Sequence, residues 1–457
     1  MKRLFKRIEH TFEQTLNAGV EALNSVFSRD VHHVIITGLS RSGKSMFFTS
    51  LMTLLSQRAQ SDFDNLPLLD TLPKSLFDSV ALRPIAGEEL FPLERNLAQL
   101  QQRKWPDSTE KIYGFELVIT RKPDSILDKL FNRHTEVVLR FYDYPGEWLT
   151  DLPMLHKDFV SWSDSAWAQQ LNPPQKYFAT SWHDFVAAFD FEQPPNEMNR
   201  QVYLQQYREF LTDAKAQGIT LLQPGSMLIP SGFDWQKSGF APLPSRIASD
   251  PHHPWSRLFK VHFNQFQQHW LKPLQEAYFC KADKQIVMLD LHEGLSHSRD
   301  HLKQLKETLS NLSNSFAYGA SKWYKPKVLF REEISKVAFV ATKADLLPLS
   351  QHANFMQLLQ DITAGVRGHL AEQQVEFQHF LISAIQSTDS GSCADCLRFT
   401  NLDGDYEEWE FAPLPSSLKA FEANQTYPRM ETKVPSDVLA RINHAQGIDR
   451  LIDYLIH

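Results

Sequence analysis

Short apolar runs alternate with helical stretches over most of this chain. The runs at 33–37 (HVIIT), 136–142 (EVVLRFY), 285–289 (QIVML), 336–341 (KVAFVA) and 379–382 (HFLI) are short and rich in β-branched or aromatic residues. All read as strands, and those at 285–289 and 336–341 as strands of the buried type. The run at 112–120 (IYGFELVIT) alternates instead, as a half-exposed edge strand does. Helical patterns occupy 44–56, 299–312, 354–372 and 435–456. This alternation predicts an α/β fold with a doubly wound, mostly parallel sheet that takes ligands at the carboxyl ends of its strands.

Residues 151–280 break the alternation. Two stretches there, 196–218 (NEMNRQVYLQQYREFLTDAKAQG) and 254–278 (PWSRLFKVHFNQFQQHWLKPLQEAY), are helical, and the loop joining them is punctuated by PGS, PSG and PLPS. They predict a large helical insertion subdomain, with the sheet domain split into 31–150 and 281–457. Two further insertions are expected in the sheet domain, a Pro-punctuated and helix-containing one at about 61–107 and another at about 387–436 with strand-like LRFT and YEEWEF.

Near the start, Leu4, Ile8, Phe12, Leu16, Val20, Leu23 and Phe27 share one helical stripe, so residues 1–30 are expected to form an amphipathic helix. Lys2, Arg3, Lys6 and Arg7 sit at its amino end, where cations oppose the helix dipole. They suit an anionic partner, either an acidic protein surface or lipid headgroups met peripherally by residues 1–28. Packing of the stripe on the chain's own body is the alternative.

A length of 457 residues implies two or three domains, or one domain with large insertions. A formal charge of -7 offers no basic field for a nucleic-acid backbone, so nucleic acid is not expected as a partner. Cys280, Cys393 and Cys396 make no disulfide framework in so long a chain, and a cytoplasmic setting follows, with peripheral contact to the inner membrane as the open variant. No continuous apolar stretch suggests a membrane span or a signal peptide. A lone C-x-x-C, CADC at 393–396, lacks the second pair that a zinc site needs.

Four peptides then define candidate chemistry. GLSRSGKS at 38–45 follows the first strand and opens a helix, matching G-x-x-x-x-G-K-[ST]. Its backbone, from Gly38 through Ser40, Arg41, Ser42 and Gly43 to Met46, would cradle phosphates. Lys44 would reach the β/γ-phosphates, and Ser45 would ligate Mg²⁺. DYPG at 143–146 ends a strand: Asp143 would hold Mg²⁺ through a water, and the Gly146 N–H would bond a γ-phosphate. Glu147 stands where a glutamine would orient the attacking water, and its charge beside a triphosphate predicts slow hydrolysis.

TKAD at 342–345 follows KVAFVA. The Asp345 carboxylate can accept from guanine N1–H and the 2-amino group, a pair that adenine does not offer. Lys343 would lie over the base, and Thr342 occupies a position more often held by Asn. SAI at 383–385 would add a backbone N–H of Ser383 or Ala384 toward guanine O6, with Ile385 beside it. A threonine closing on Mg²⁺ should precede the edge strand, which leaves Thr109 first, Ser108 second, and a solvated loop hydroxyl as the alternative. Arg83, Arg95 and Arg103 precede it and are candidates for a cation acting in cis.

GLSRSGKS, the delayed DYPGEWL, the aromatic helical insertion, LDLHEGL and VATKAD together resemble the YcjX family over nearly the whole chain. The resemblance implies a P-loop GTPase-type sheet, a domain arrangement like that of heterotrimeric G-protein α subunits, GTP/GDP binding and a bacterial stress association. Three functions stay open at this stage: a regulatory GTPase acting on an unidentified protein partner, an ATP-dependent enzyme such as a kinase, and a nucleotide-bound scaffold without turnover.

Overall fold

A computed structural model describes residues 28–39, 41–58, 77–121, 135–229, 232–316, 318, 333–423 and 425–456. The amphipathic stripe expected before residue 28 and Ser40 of the glycine-flanked loop lie outside them. In chain order the first elements are β1 (Ser28–Gly38), α1 (Lys44–Arg58), β2 (Phe77–Pro84), α2 (Leu93–Gln101), β3 (Tyr113–Arg121), β4 (Thr135–Asp143) and α3 (Gly146–Leu149). After the helices of the insertion come β5 (Lys284–Leu289), a short helix Leu291–His297, a longer one Arg299–Ser313, β6 (Lys336–Ala341) and β7 (Glu376–Leu381).

The strands join in the order β2-β3-β4-β1-β5-β6-β7. β1 pairs in parallel with β4 and β5, and β5, β6 and β7 continue the parallel run. β3 is antiparallel to both β4 and β2. The stretch read from its alternation as an edge strand is therefore an inner strand, because β2 covers its outer side. The sequence hid β2 (FDSVALRP) inside a proline-punctuated segment, and its terminal Pro84 is tolerated because the strand lies at the sheet's edge.

Successive strand residues point to opposite faces, and the core divides accordingly. Val34 and Ile36 of β1, Ile286 and Met288 of β5, and Ala338 and Val340 of β6 face one apolar cluster with α1 and the C-terminal helices. Ile35, Val287, Leu289, Val337 and Phe339 face the other. Helices thus cover both faces, and β1 sits at the point where the strand order turns back, which leaves an open crevice at the carboxyl ends.

A third cluster is built by the insertion: α4 (Phe159–Gln170), α5 (Thr180–Ala188), α6 (Glu197–Ala216) and α7 (Pro254–Phe266). Asp158 and Asn196 start α4 and α6 with reciprocal capping boxes. Trp162, Trp182, Tyr203, Tyr207 and Trp255 are buried together, so the aromatic richness of this stretch packs its own core. The two helices already placed after β5 become α8 (Leu291–His297) and α9 (Arg299–Ser313).

The remaining helical stretches are each divided. The stretch at 354–372 breaks at Thr363 into α10 (His352–Ile362) and α11 (Ala364–Glu372). The last breaks into α12 (Val438–Asn443) and α13 (Ile448–Ile456), where Gly447 has φ +78 and a Cβ would strike the Leu381 carbonyl. Between them, β8 (Asp389–Ser390), β9 (Cys396–Thr400) and β10 (Tyr406–Glu410) form a separate antiparallel sheet. Cys393 and Cys396, the first residue of the central strand β9, are joined by a disulfide. Among the described residues no helix is long and apolar enough to cross a membrane.

Candidate functional site

The loop between β1 and α1 turns tightly because Arg41 (φ 64) and Gly43 (φ 84) both adopt left-handed backbone. At Arg41 this conformation is costly for a side-chain-bearing residue. A Cβ on Gly38 would collide with the Ser42 hydroxyl, so the glycine allows the loop to fold over itself. Lys44 Nζ donates to the Gly38 carbonyl at 2.6 Å and is buried. Burial pushes its amine down, against Asp143 and Glu147, which favour the charged form.

Three sequence-predicted side chains meet beside this loop. Ser45 Oγ lies 3.1 Å from Thr109 Oγ1, and the Thr109 hydroxyl donates to Asp143 Oδ2 at 2.8 Å. Asp143 Oδ1 is buried with no hydrogen-bond partner. Burial pushes the Asp143 carboxyl up to about 6, against Lys44 and the Thr109 hydroxyl. The Ser42 hydroxyl is likewise buried without a partner. An orphaned carboxylate oxygen beside the Ser45 and Thr109 hydroxyls fits a hard divalent cation, and the Ser42 hydroxyl has a proton to donate to an anionic ligand.

The next segment enters α3 with Gly146 and Glu147. Glu147 is buried, and its Oε1 lies 2.6 Å from Lys215 Nζ in the last turn of α6. The water-orienting position read from sequence is therefore tied to the helical insertion, a contact that the sequence did not indicate.

At the opposite wall, Asp345 Oδ2 accepts from the Ser387 N–H at 3.1 Å and from its hydroxyl at 2.6 Å. Lys343, with φ 59, donates Nζ to Asp290 Oδ2 at 2.5 Å and accepts on its carbonyl from His292 Nε2 at 3.0 Å. The Thr342 hydroxyl donates to the Leu289 carbonyl at 3.2 Å, and Thr342 packs on Gly43. That packing joins this wall to the loop after β1. The Ser383 N–H, expected to face a ligand, donates instead to Gln446 O at 3.1 Å, while Ala384 and Ile385 line the cavity.

One cavity of about 490 Å³ connects these groups, with Ser42, Lys44, Thr109 and Gly146 at one end and Lys343 and Asp345 at the other. Gly38, Asp143 and Ser383 are not among its lining residues. Neither are Arg83, Arg95 and Arg103. Arg83 pairs with Glu136 in the sheet, and Arg95 pairs with Asp107. A lining cation that the sequence did not indicate is Arg429, held by Glu431 at 3.2 Å and by Glu293 at 3.6 Å. Trp105 closes the same side by donating Nε1 to the Thr432 carbonyl at 2.8 Å. Ser387, Arg429 and Trp105 carry no local motif, so only the fold assembles them here.

These features define an α/β protein with a ligand-sized cleft at the carboxyl ends of its parallel strands. The model of the YcjX-like family, DUF463, matches residues 33–457, and the chain belongs to that family. It is similar to the Ras-like GTPase YcjX of Escherichia coli, 28% identical over 400 residues that cover 84% of this chain and 83% of that protein. It is also similar to the Ras-like GTPase YcjX of Shewanella oneidensis, 26% identical over 397 residues covering 81% and 79% of the two chains.

Proposed function

We propose that the cleft binds a guanine nucleotide with Mg²⁺ and hydrolyses GTP slowly, as a switch whose state reaches a protein partner through the helical insertion. The observation that carries this reading is one cavity lined at one end by Ser45 and by Thr109, whose hydroxyl donates to Asp143 behind the lining, and at the other by a Ser387-held Asp345. The names of the two relatives, Ras-like GTPases, support it.

In this reading Gly38 and the loop to Met46 hold the phosphates, and Lys44 exchanges the Gly38 carbonyl for a β/γ-phosphate oxygen. Ser45, Thr109 and Asp143 fit Mg²⁺, which supplies charge neutralisation at the phosphates when bound. Oδ1 of Asp345 faces guanine N1–H and the 2-amino group, while Ser387 fixes the other oxygen. Gly146 contacts the γ-phosphate. α3 runs directly into the insertion, so a shift of Gly146 and Glu147 moves that subdomain.

Calorimetry with GDP, GTP, ADP and ATP, with and without Mg²⁺, tests the reading. Guanine nucleotides are expected to bind at least about 100-fold tighter than adenine nucleotides, as when a site hydrogen-bonds groups that the competitor lacks. Asp345→Ala should abolish the preference. Equal affinity for GTP and ATP would overturn the guanine assignment.

A further inference from the structure

The Glu147 carboxylate poses a physical problem at a triphosphate site, because an acid one residue beyond Gly146 repels a γ-phosphate in a buried setting. We propose that Lys215 of the helical insertion belongs to the phosphate end of the cleft, as the counter-cation that lets the site accept a triphosphate beside Glu147. The inference rests on the reading of the cleft as a nucleotide site.

Both members of the pair are fixed before any ligand arrives. Lys215 Nζ lies 2.6 Å from Glu147 Oε1, and its side chain is 27% exposed. It lines a small cavity of about 60 Å³ together with Arg41, Ser42, Gly146 and Glu147. A cation in the last turn of α6 also suits the helix dipole, which favours holding the charge there.

The turn after α6 is clamped to α9: the Thr220 N–H donates to Gln304 Oε1 at 3.1 Å, and His301 Nε2 donates to the Gln217 carbonyl at 3.0 Å. Gly218, at φ +77, packs so closely on His297 and Glu293 that a Cβ has no room. The Glu147 side is clamped to the same part of the insertion. The Thr150 hydroxyl donates to Leu222 O at 2.8 Å, and Asp151 accepts from the N–H groups of Gly225 and Ser226 at 2.6 and 2.9 Å. Gly225 approaches the Glu147 carbonyl too closely to carry a Cβ.

The pair is thus held without the flexibility that makes exposed ion pairs weak. Two other cations stand nearby: Arg41 in the same cavity faces Glu293 at 3.7 Å, and Lys44 is committed to the Gly38 carbonyl in this state and to phosphate in the bound one. Lys215 is left to offset the carboxylate when a γ-phosphate enters.

The test compares GDP with a non-hydrolysable GTP analogue, and ADP with the matching ATP analogue, by calorimetry. Lys215→Met is expected to lower the triphosphate-to-diphosphate affinity ratio about tenfold, the size of one partly screened charge at short range. Lys215→Arg should keep the ratio, and Glu147→Gln combined with Lys215→Met should restore it. Glu147→Gln alone should raise it, which gives an independent reading if Lys215→Met does not fold. An equal loss for diphosphate and triphosphate, or an unmoved ratio in all variants, would overturn the proposal. The ratio reports the γ-phosphate whatever the base, so a protein that preferred adenine would fail the guanine assignment and still decide this one.

Discussion

At the proposed phosphate end of the cleft, one oxygen of Asp143 and the hydroxyl of Ser42 are buried without partners. At the proposed base end, Asp345 is already held by Ser387 and Lys343 by Asp290. The first arrangement is costly until a ligand supplies the missing contacts, since each buried unsatisfied polar group costs about 1–3 kcal/mol. The second is preorganised and loses little on binding. Under the proposed function the contrast gives the two ends different work: ligand-driven rearrangement would belong to the phosphate end and its connection to α6, and discrimination to the rigid base end.

The strongest way to break this contrast is Asp143→Asn, which removes the buried charge without changing shape. Nucleotide affinity in Mg²⁺ should fall up to about 100-fold, the upper range for losing a group that orients a metal's ligands. The ligand-free variant should melt no lower than wild type at pH 7.5, because burial of the Asp143 carboxylate outweighs the support it draws from Lys44 and the Thr109 hydroxyl. Thermal melts with and without GTP and Mg²⁺ read both effects. If the variant also lost its preference for guanine over adenine, the two ends would not be independent.

Ser387→Ala probes the other end with a smaller expected effect. Asp345 Oδ2 keeps the Ser387 N–H and loses the hydroxyl donor. One hydrogen bond to a charged group contributes about 1.5–3 kcal/mol, so guanine affinity should fall roughly ten- to a hundredfold. The dependence on Mg²⁺ should not move. Titration of GDP at several Mg²⁺ concentrations separates the two, and a changed Mg²⁺ dependence would show that Ser387 acts beyond the base end.

The two ends were also unequally legible in sequence. The tight turn at Gly38–Ser45 and the Asp143 position at a strand end follow from short peptides, because a turn with left-handed backbone at Arg41 and Gly43 needs particular residues within a few positions of one another. Thr109 was reachable because it precedes β3, and the structure bonds it to both Ser45 and Asp143. The strands buried on both faces were readable from their apolar runs, whereas β2 was not, since edge pairing demands little of its sequence. Ser387, Arg429 and Lys215 could not be read, because their roles depend on tertiary contacts. Trp105 and Thr432 meet across 327 residues, and no local pattern encodes such a pairing.

The smallest expected effect concerns pH at the base end. His292 is packed beside Asp290, Lys343 and Phe355, and burial holds its imidazole below the ordinary value, against Asp290, which raises it. The folded protein therefore keeps His292 neutral where the unfolded chain takes up a proton. Its contribution to stability is intact above the unfolded value of about 6.5 and declines as pH falls below it toward the lower folded value. The slope from one such group is at most about 1.4 kcal/mol per pH unit. His292→Gln retains an N–H donor for the Lys343 carbonyl and removes the titration. Urea unfolding at pH 7.5 and 5.5 should then show a smaller acid loss for His292→Gln than for wild type. An identical loss would mean that this histidine takes up a proton in the folded base end, and that the end is less rigid than its hydrogen bonds imply.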